Sequence, residues 1–573
     1  MSVELYPNQK QVVQQIVENA ENYDVHAIIS PTGSGKTLIG LTLANELEGG
    51  YGTSPYRALV NQYHLELTTK FANEHMGATV MGRGAYPCPY LQQKEKPVLD
   101  ATADGAPCTS KHTLYEYHGK QSHKCPLKNV CPYFEAVARA KASKTSVSTL
   151  HYLLYGIVDR IADKDDSPDM DTQWARRPVL FVDEAHNLPS ILTDFFKIEV
   201  TRKSFPDFDY DALYNKVKQE KMDSTQSLEA FNVMFDLYFA AQESELDNME
   251  AHFEEYQREK STNPYVSLEG ADGKLLEPDQ YEKALVKKRK LMYRLKFIRT
   301  ALGNDNVEWL FYMNEDGMYW KPYTPAPFLD NIWNKFDHIV FMSATLFNIP
   351  LYMKMLGLEN RRVQTIDMPS TFDPVKGKIF FEGNLYLNRD NFDEKIGEVV
   401  QKIEEIARRY PNESGMIHAF SRKYKNEIWE RISPDVKERM ITHESYDRQE
   451  KLDEFVNAPN GTIFLTMNMA EGIDLKNDLG RWQIIVKAPL ASIGDPWISA
   501  HMRREKGWYD AQMIVSVLQM CGRVVRSKED WGDTYIIDQV IAKKLRDNWG
   551  LLQTHIKDRI NAGTQARISN LNL

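Results

Sequence analysis

His26-Ala-Ile-Ile-Ser-Pro-Thr-Gly-Ser-Gly-Lys-Thr37 sets the architecture of the chain. His26–Ser30 reads as a buried strand and Pro31–Thr37 as a glycine turn, and Leu38, Leu41, Leu43 and Leu47 are the apolar positions of the helix that follows. A strand, glycine turn and helix in this order cradle phosphate. Gly33, Ser34 and Gly35 let backbone N–H groups close on phosphate oxygens, and the helix N-terminus adds a favourable dipole. Lys36 can reach a β- or γ-phosphate, and the Thr37 hydroxyl suits Mg²⁺.

Val179-Leu-Phe-Val-Asp-Glu-Ala-His186 is a second buried strand, ending in paired carboxylates. Ligands of α/β sheets bind at such strand ends. Alone, Asp183 and Glu184 would serve equally well as helix caps. Beside a phosphate loop, Asp183 is expected to hold Mg²⁺ and Glu184 to orient and deprotonate an attacking water. Further near-continuous apolar runs stand at Thr145–Thr149 and His338–Met342, and again at Gly415–Phe420, Thr462–Thr466, Gln483–Val486 and Thr534–Asp538. Runs of this kind alternating with helical segments predict parallel sheets covered on both faces. The fold class expected is α/β with two such domains.

The chain has 573 residues, 42% hydrophobic and 26% charged, the composition of an ordinary soluble multidomain protein. No apolar run reaches the ~18 residues of a membrane span, and the start lacks the blocks of a signal peptide. Membrane residence and secretion are not expected, which leaves cytoplasm and nucleoid, or a nucleus. The net charge of −10 argues against coating nucleic acid by bulk positive charge but allows a local basic track.

Ser343-Ala-Thr345 follows the strand ending at Met342, and Met469-Ala-Glu-Gly-Ile-Asp474 follows another. Gln519-Met-Cys-Gly-Arg-Val-Val-Arg526 is expected to be helical, with Gln519, Arg523 and Arg526 on one face. Two guanidiniums and an amide there suit a γ-phosphate presented from the facing domain. With Gln9, Pro31–Thr37, Thr53–Gln62 and Asp183–His186 in the same order, the chain resembles a superfamily 2 helicase almost end to end; Ser30 in place of the strict first glycine fits that group's variant loop. Two insertions narrow the resemblance to the XPD/DinG iron–sulphur DNA helicases. Cysteines lie between the phosphate loop and Asp183, and 156 residues separate His186 from Ser343 where one βα unit needs about 30. Gly82-Arg83 before Cys88, and Cys131-Pro-Tyr133, look like further landmarks of that family.

The resemblance implies two RecA-like motor domains, one formed by 1–75, 141–204 and 321–350 and the other by 351–573. It also implies an iron–sulphur domain at 76–140 and a helical Arch at 205–320. It implies ATP and Mg²⁺, a monomer acting on single-stranded DNA and single-strand/duplex junctions in repair or replication, and 5′-to-3′ travel. Gly472 and Asp474 would join the nucleotide site, and Gln9 would read adenine.

Cys88, Cys108, Cys125 and Cys131 are spaced C-x19-C-x16-C-x5-C, without the tight knuckles of structural zinc sites. Spacing alone leaves zinc and iron–sulphur about equal; the resemblance implies a [4Fe–4S] cluster. His112, His118 and His123 read as solvated loop residues, and Cys521 as a small packing residue. Seven basic residues from Lys287 to Arg299, interleaved with Tyr293, offer either a phosphate-tracking face or the partner of the acidic stretch 243–259 in a helical hairpin. The residues also admit two other readings: a DEAH-type RNA helicase with a zinc-binding insert, and a non-catalytic scaffold subunit.

Overall fold

The computed structural model describes the chain except residues 1–4, 32, 70–76, 94–100, 105–114, 118–119, 123–124, 163–172, 206, 261, 264–265, 270–274, 389, 468–476, 526–528 and 572–573. It falls into two compact units. Met1–Val80, Ala140–Pro189 and Leu329–Leu573 form one, and Met81–Arg139 with Ser190–Phe328 form the other. No helix among the described residues is long and apolar enough to cross a membrane.

The first unit holds two parallel sheets. Seven strands make the first, in the order Val363–Asp367, Val25–Ile29, His338–Ser343, Val179–Asp183, Gly50–Ser54, Thr145–Thr149 and Gly77–Val80. Its central strands are buried on both faces, as expected when helices cover a parallel sheet. The register matters for function. Ile29 pairs with Ser343, and Met342 pairs with Asp183. The phosphate loop, the Asp183-Glu184 pair and the Ser343-Ala-Thr345 turn therefore leave the sheet at the same edge.

Six strands make the second sheet: Ile379–Leu385, Asp533–Asp538, Trp482–Ile485, Gly415–His418, Ile463–Thr466 and Met440–Thr442. The helix Phe392–Arg409 covers one face with Phe392, Ile396, Val399, Ile403 and Ile406, spaced mostly at three and four residues.

Two expected boundaries move. The first motor domain does not end at 350, because Val363–Asp367 is an edge strand of its sheet. That strand alternates half-buried or exposed residues with buried ones, so it lacks the continuous apolar run that marks the interior strands. Gly50–Ser54 lacks such a run for a different reason. A Cβ on Gly52 would overlap the Phe181 ring, so this central strand keeps a glycine to let the aromatic in.

In the second unit, the insert expected as wholly helical over 205–320 begins earlier and ends later. Ile198–Thr201, Trp309–Met313 and Gly317–Pro322 form a three-stranded antiparallel sheet at its base. Two long helices, Ser224–Lys260 and Pro278–Leu302, pack on that sheet. Phe231, Phe235 and Phe239 of the first, with Leu295 and Ile298 of the second, share a core with Trp320 and Val200. Ion pairs join Asp236 to Arg299 at 3.3 Å, Glu243 to Lys296 at 3.4 Å and Glu250 to Arg289 at 2.6 Å, with Glu245 bound to Lys288. Residue numbers rise along one helix as they fall along the other, so the acidic and basic stretches face each other in a helical hairpin.

Candidate nucleotide site and cysteine segment

Gly33 and Gly35 both take left-handed φ, +77° and +76°, which only glycine adopts without penalty. The loop is braced from within the first unit. Gln9 is fully buried, donates from Nε2 to the Ser34 carbonyl at 2.7 Å and accepts the Tyr6 N–H at 2.9 Å. A Cβ on Gly35 would overlap that amide. Both ends of the Gln9 amide thus brace the phosphate turn, and each keeps a second hydrogen-bonding position. Lys36 and Thr37, buried, open the helix Lys36–Glu46.

Asp183 is buried and accepts the Glu184 N–H at 2.9 Å and the Tyr63 hydroxyl at 3.2 Å. Glu184 itself has φ +51°, a strained conformation for a residue with a side chain. Its carboxylate meets Lys36 Nζ at 3.3 Å through one oxygen and His186 Nδ1 at 3.4 Å through the other. His186 Nδ1 also lies 2.8 Å from the Ser343 hydroxyl. On the far side of the ring, Nε2 touches the Gln519 amide nitrogen. Four side chains thus form one polar line, Lys36–Glu184–His186–Gln519, running from the first sheet to the second.

The electrostatics of the paired carboxylates differ. Burial, then the charge of Glu184, pushes Asp183 up to about 6. Burial also acts to raise Glu184, but Lys36 and His186 outweigh it and hold the group well below the usual carboxylate range. One carboxylate is therefore firmly ionised beside the ammonium, and its neighbour carries its charge at a cost that a cation would relieve.

Gln519 lies in the last turn of the helix Trp508–Cys521, which Gly522 caps. Arg523 follows the helix rather than lying on it, its N–H bonded to the Met520 carbonyl at 2.9 Å. The helical face expected to carry Gln519, Arg523 and Arg526 together therefore stops at Cys521, because a glycine supports helix poorly. Arg526, Gly472 and Asp474 lie outside the described residues. Arg523 is close enough to add its charge to the burial that holds the His418 imidazole down at about 4. Cys521 is fully buried in the core of the second sheet, its thiol pushed up to about 11 by burial, as a packing residue should be. Two contributors leave little trace in the sequence. Tyr63 on an apolar helix face reads as core, and spacing assigns no role to His186 even within its motif.

In the second unit, Cys88 packs in a small apolar cluster with Tyr90, and Cys125 and Leu127 lie against it; Cys131 is buried. Cys88 and Cys131 are free thiols. The Arg83 guanidinium lies 4.6 Å from the Tyr133 ring centre, and Tyr86 meets the same ring edge-on, so the segments before Cys88 and after Cys131 are packed together. Cys108, His112, His118 and His123 lie outside the described residues or carry no described side chain. Among those described, no three metal-ligating side chains gather at one point.

Comparison with known proteins agrees with the motif order. A family model described as "Helicase C-terminal domain" matches residues 403–553, and one described as "Type III restriction enzyme, res subunit" matches 2–222. A solved XPD helicase superposes with a TM-score of 0.58 at 17% identity, covering 95% of this chain and 98% of its own. The chain thus carries matches to both family models on a fold that it shares with solved XPD helicases. The Xpd4 structure from S. tokodaii is similar to this chain with a TM-score of 0.55 at 12% identity, over 96% of this chain and 98% of that one. The ATP-dependent DNA helicase YoaA of Escherichia coli (strain K12) is 22% identical over 446 residues, which is 72% of this chain and 67% of YoaA.

The raised Asp183 carries a stability consequence. Its carboxyl titrates near 3.8 when unfolded and at about 6 when folded, so folding favours the protonated form. The cost of ionising it grows as pH rises from about 4 and is complete above about 6. Asp183→Asn should therefore stabilise the metal-free protein by about 1–3 kcal/mol at pH 7.5, with a smaller gain at pH 5, in urea denaturation at both pH values. Destabilisation at both would mean that Asp183 is not held against its charge.

Proposed function

We propose that this chain is an ATP-dependent DNA helicase that moves on single-stranded DNA and opens duplex at a junction. The strongest support is the polar line Lys36–Glu184–His186–Gln519, which ties the phosphate loop of one sheet to the motif helix of the other. Lys36 and the backbone of Gly33–Thr37 would receive the phosphates. Thr37 and Asp183 would hold Mg²⁺, which supplies charge neutralisation at the phosphates when bound. Glu184, kept ionised, orients and deprotonates the attacking water. Gln519, Arg523 and Arg526 would complete the γ-phosphate site from the second sheet, with Gly472 and Asp474 beside them.

An arriving γ-phosphate competes with Glu184 for Lys36. That competition frees the carboxylate for water and changes its hold on His186 and, through it, on Gln519, so phosphate occupancy and the grip between the two sheets are linked. DNA as the strand is supported by the named activity of YoaA, and 5′-to-3′ travel by resemblance to the family alone. On the helix Pro278–Leu302, Lys287, Lys290, Tyr293, Arg294 and Phe297 are exposed. They form a mixed basic and aromatic face suited to tracking a strand.

Cys88, Cys108, Cys125 and Cys131 would hold a [4Fe–4S] cluster. The shared packing of Cys88 and Cys125, and the free thiols of Cys88 and Cys131, suit thiolate ligation. Its role would be to brace a loop-rich segment whose own apolar core is small.

Lys36→Ala should abolish DNA-stimulated ATP turnover while single-strand binding persists, since Glu184 retains His186 as a partner; continued turnover in that variant would overturn the reading. Anaerobically purified protein should be brown with about four irons per chain, and Cys88→Ser should lose the iron and duplex unwinding but keep measurable ATPase. A colourless protein with one zinc would reject the cluster.

A further inference from the structure

The helix Thr554–Leu571 and the residue ahead of it touch both sheets of the first unit. Gln553 donates to the Leu346 carbonyl at 2.7 Å, immediately after the Ser343-Ala-Thr345 turn. Thr554 donates twice to Asp367, from its N–H at 3.0 Å and its hydroxyl at 2.8 Å, and Asp367 ends the edge strand of the first sheet. Further along, the helix lies directly on the second sheet. A Cβ on Gly563 would overlap the Ile379 carbonyl oxygen, and Ile556 and Ile560 enter the core around Ile514 and Val517.

Between these anchor points stands Arg559. Its Nε donates to the Gly377 carbonyl and its Nη1 to the Cys521 carbonyl at 2.9 Å. Cys521 is the last residue of the helix that presents Gln519 to His186, and Gly522-Arg523 follow it. Arg559 also lines a cavity of about 190 Å³ together with Pro31 of the phosphate loop, Gly522, Val525 and His555. Its Nη2 is buried and finds no hydrogen-bond partner among the described residues.

We infer that Arg559 is a positioning residue for ATP hydrolysis, fixing the carbonyl end of the Gln519 helix so that Gln519 and Arg523 stay in register with the phosphate loop. The inference rests on the reading of the cleft as an ATP site. A planar guanidinium can fork to two carbonyls at once, whereas an ammonium on the same stem is a point donor. Loss of the fork lets the helix end drift, and a displacement near 1 Å at reacting groups costs up to about 100-fold in rate. Nucleotide affinity, set largely by the phosphate loop and Lys36, is left in place.

The test is steady-state ATP turnover by the full chain with saturating single-stranded DNA, for Arg559→Ala and Arg559→Lys. The expected result is kcat lower by about 10- to 100-fold with KM for ATP within about threefold of the parent. Millimolar guanidinium should restore part of the rate to Arg559→Ala and none to Lys36→Ala. Parental kcat in Arg559→Ala, an equal effect on kcat and KM, or failure of both variants to fold would overturn the inference. If Lys36→Ala itself turned over ATP, the reading of the cleft would fail instead, and the two failures are distinct.

Discussion

The ion pair between Lys36 and Glu184 organises the cleft at the end of the first sheet. Both groups are largely withdrawn from water, and each is tolerable there because the other is present. The pair exists because three strand ends share one edge of a parallel sheet in fixed register, so that the turn after Ile29, the turn after Asp183 and the turn at Ser343 converge. His186 and Gln519 extend the pair across to the second sheet. The line joins Lys36 to a residue 483 positions away in sequence.

How much of this is legible in the sequence depends on the physics of each piece. The phosphate loop is legible because left-handed turns demand glycine at Gly33 and Gly35 and because buried parallel strands leave continuous apolar runs. Val363–Asp367 is hidden because an edge strand has one wet face. Gly50–Ser54 is hidden because the bulk it lacks is supplied by Phe181 from the neighbouring strand. The helix end at Cys521 is marked in the sequence by Gly522 alone, and the apolar pattern running on through Val524 and Val525 masks it. Contacts that span the fold, such as Tyr63 with Asp183 and Gln9 with Ser34, leave no periodic trace at all.

The inserted unit is held together by a different balance of forces. Its long antiparallel helices carry a row of ion pairs, but most of these side chains are half exposed, where such pairs contribute tenths of a kcal/mol. They set the register of the hairpin. Cohesion comes from the aromatic core of Phe231, Phe235 and Trp320 against the small antiparallel sheet, with Arg294 over Phe205 and Arg299 over Phe239 closing its rim.

If phosphate occupancy is transmitted to the facing sheet through the imidazole and the amide, then His186 and Gln519 act as one unit. A double-mutant cycle in DNA-stimulated ATP turnover, using His186→Ala, Gln519→Ala and the pair, measures that coupling. The double variant should lose little more than either single one, a coupling of at least about 1 kcal/mol. Independent, additive losses would show that the two side chains touch without working together, and the link between the sheets would have to be sought elsewhere.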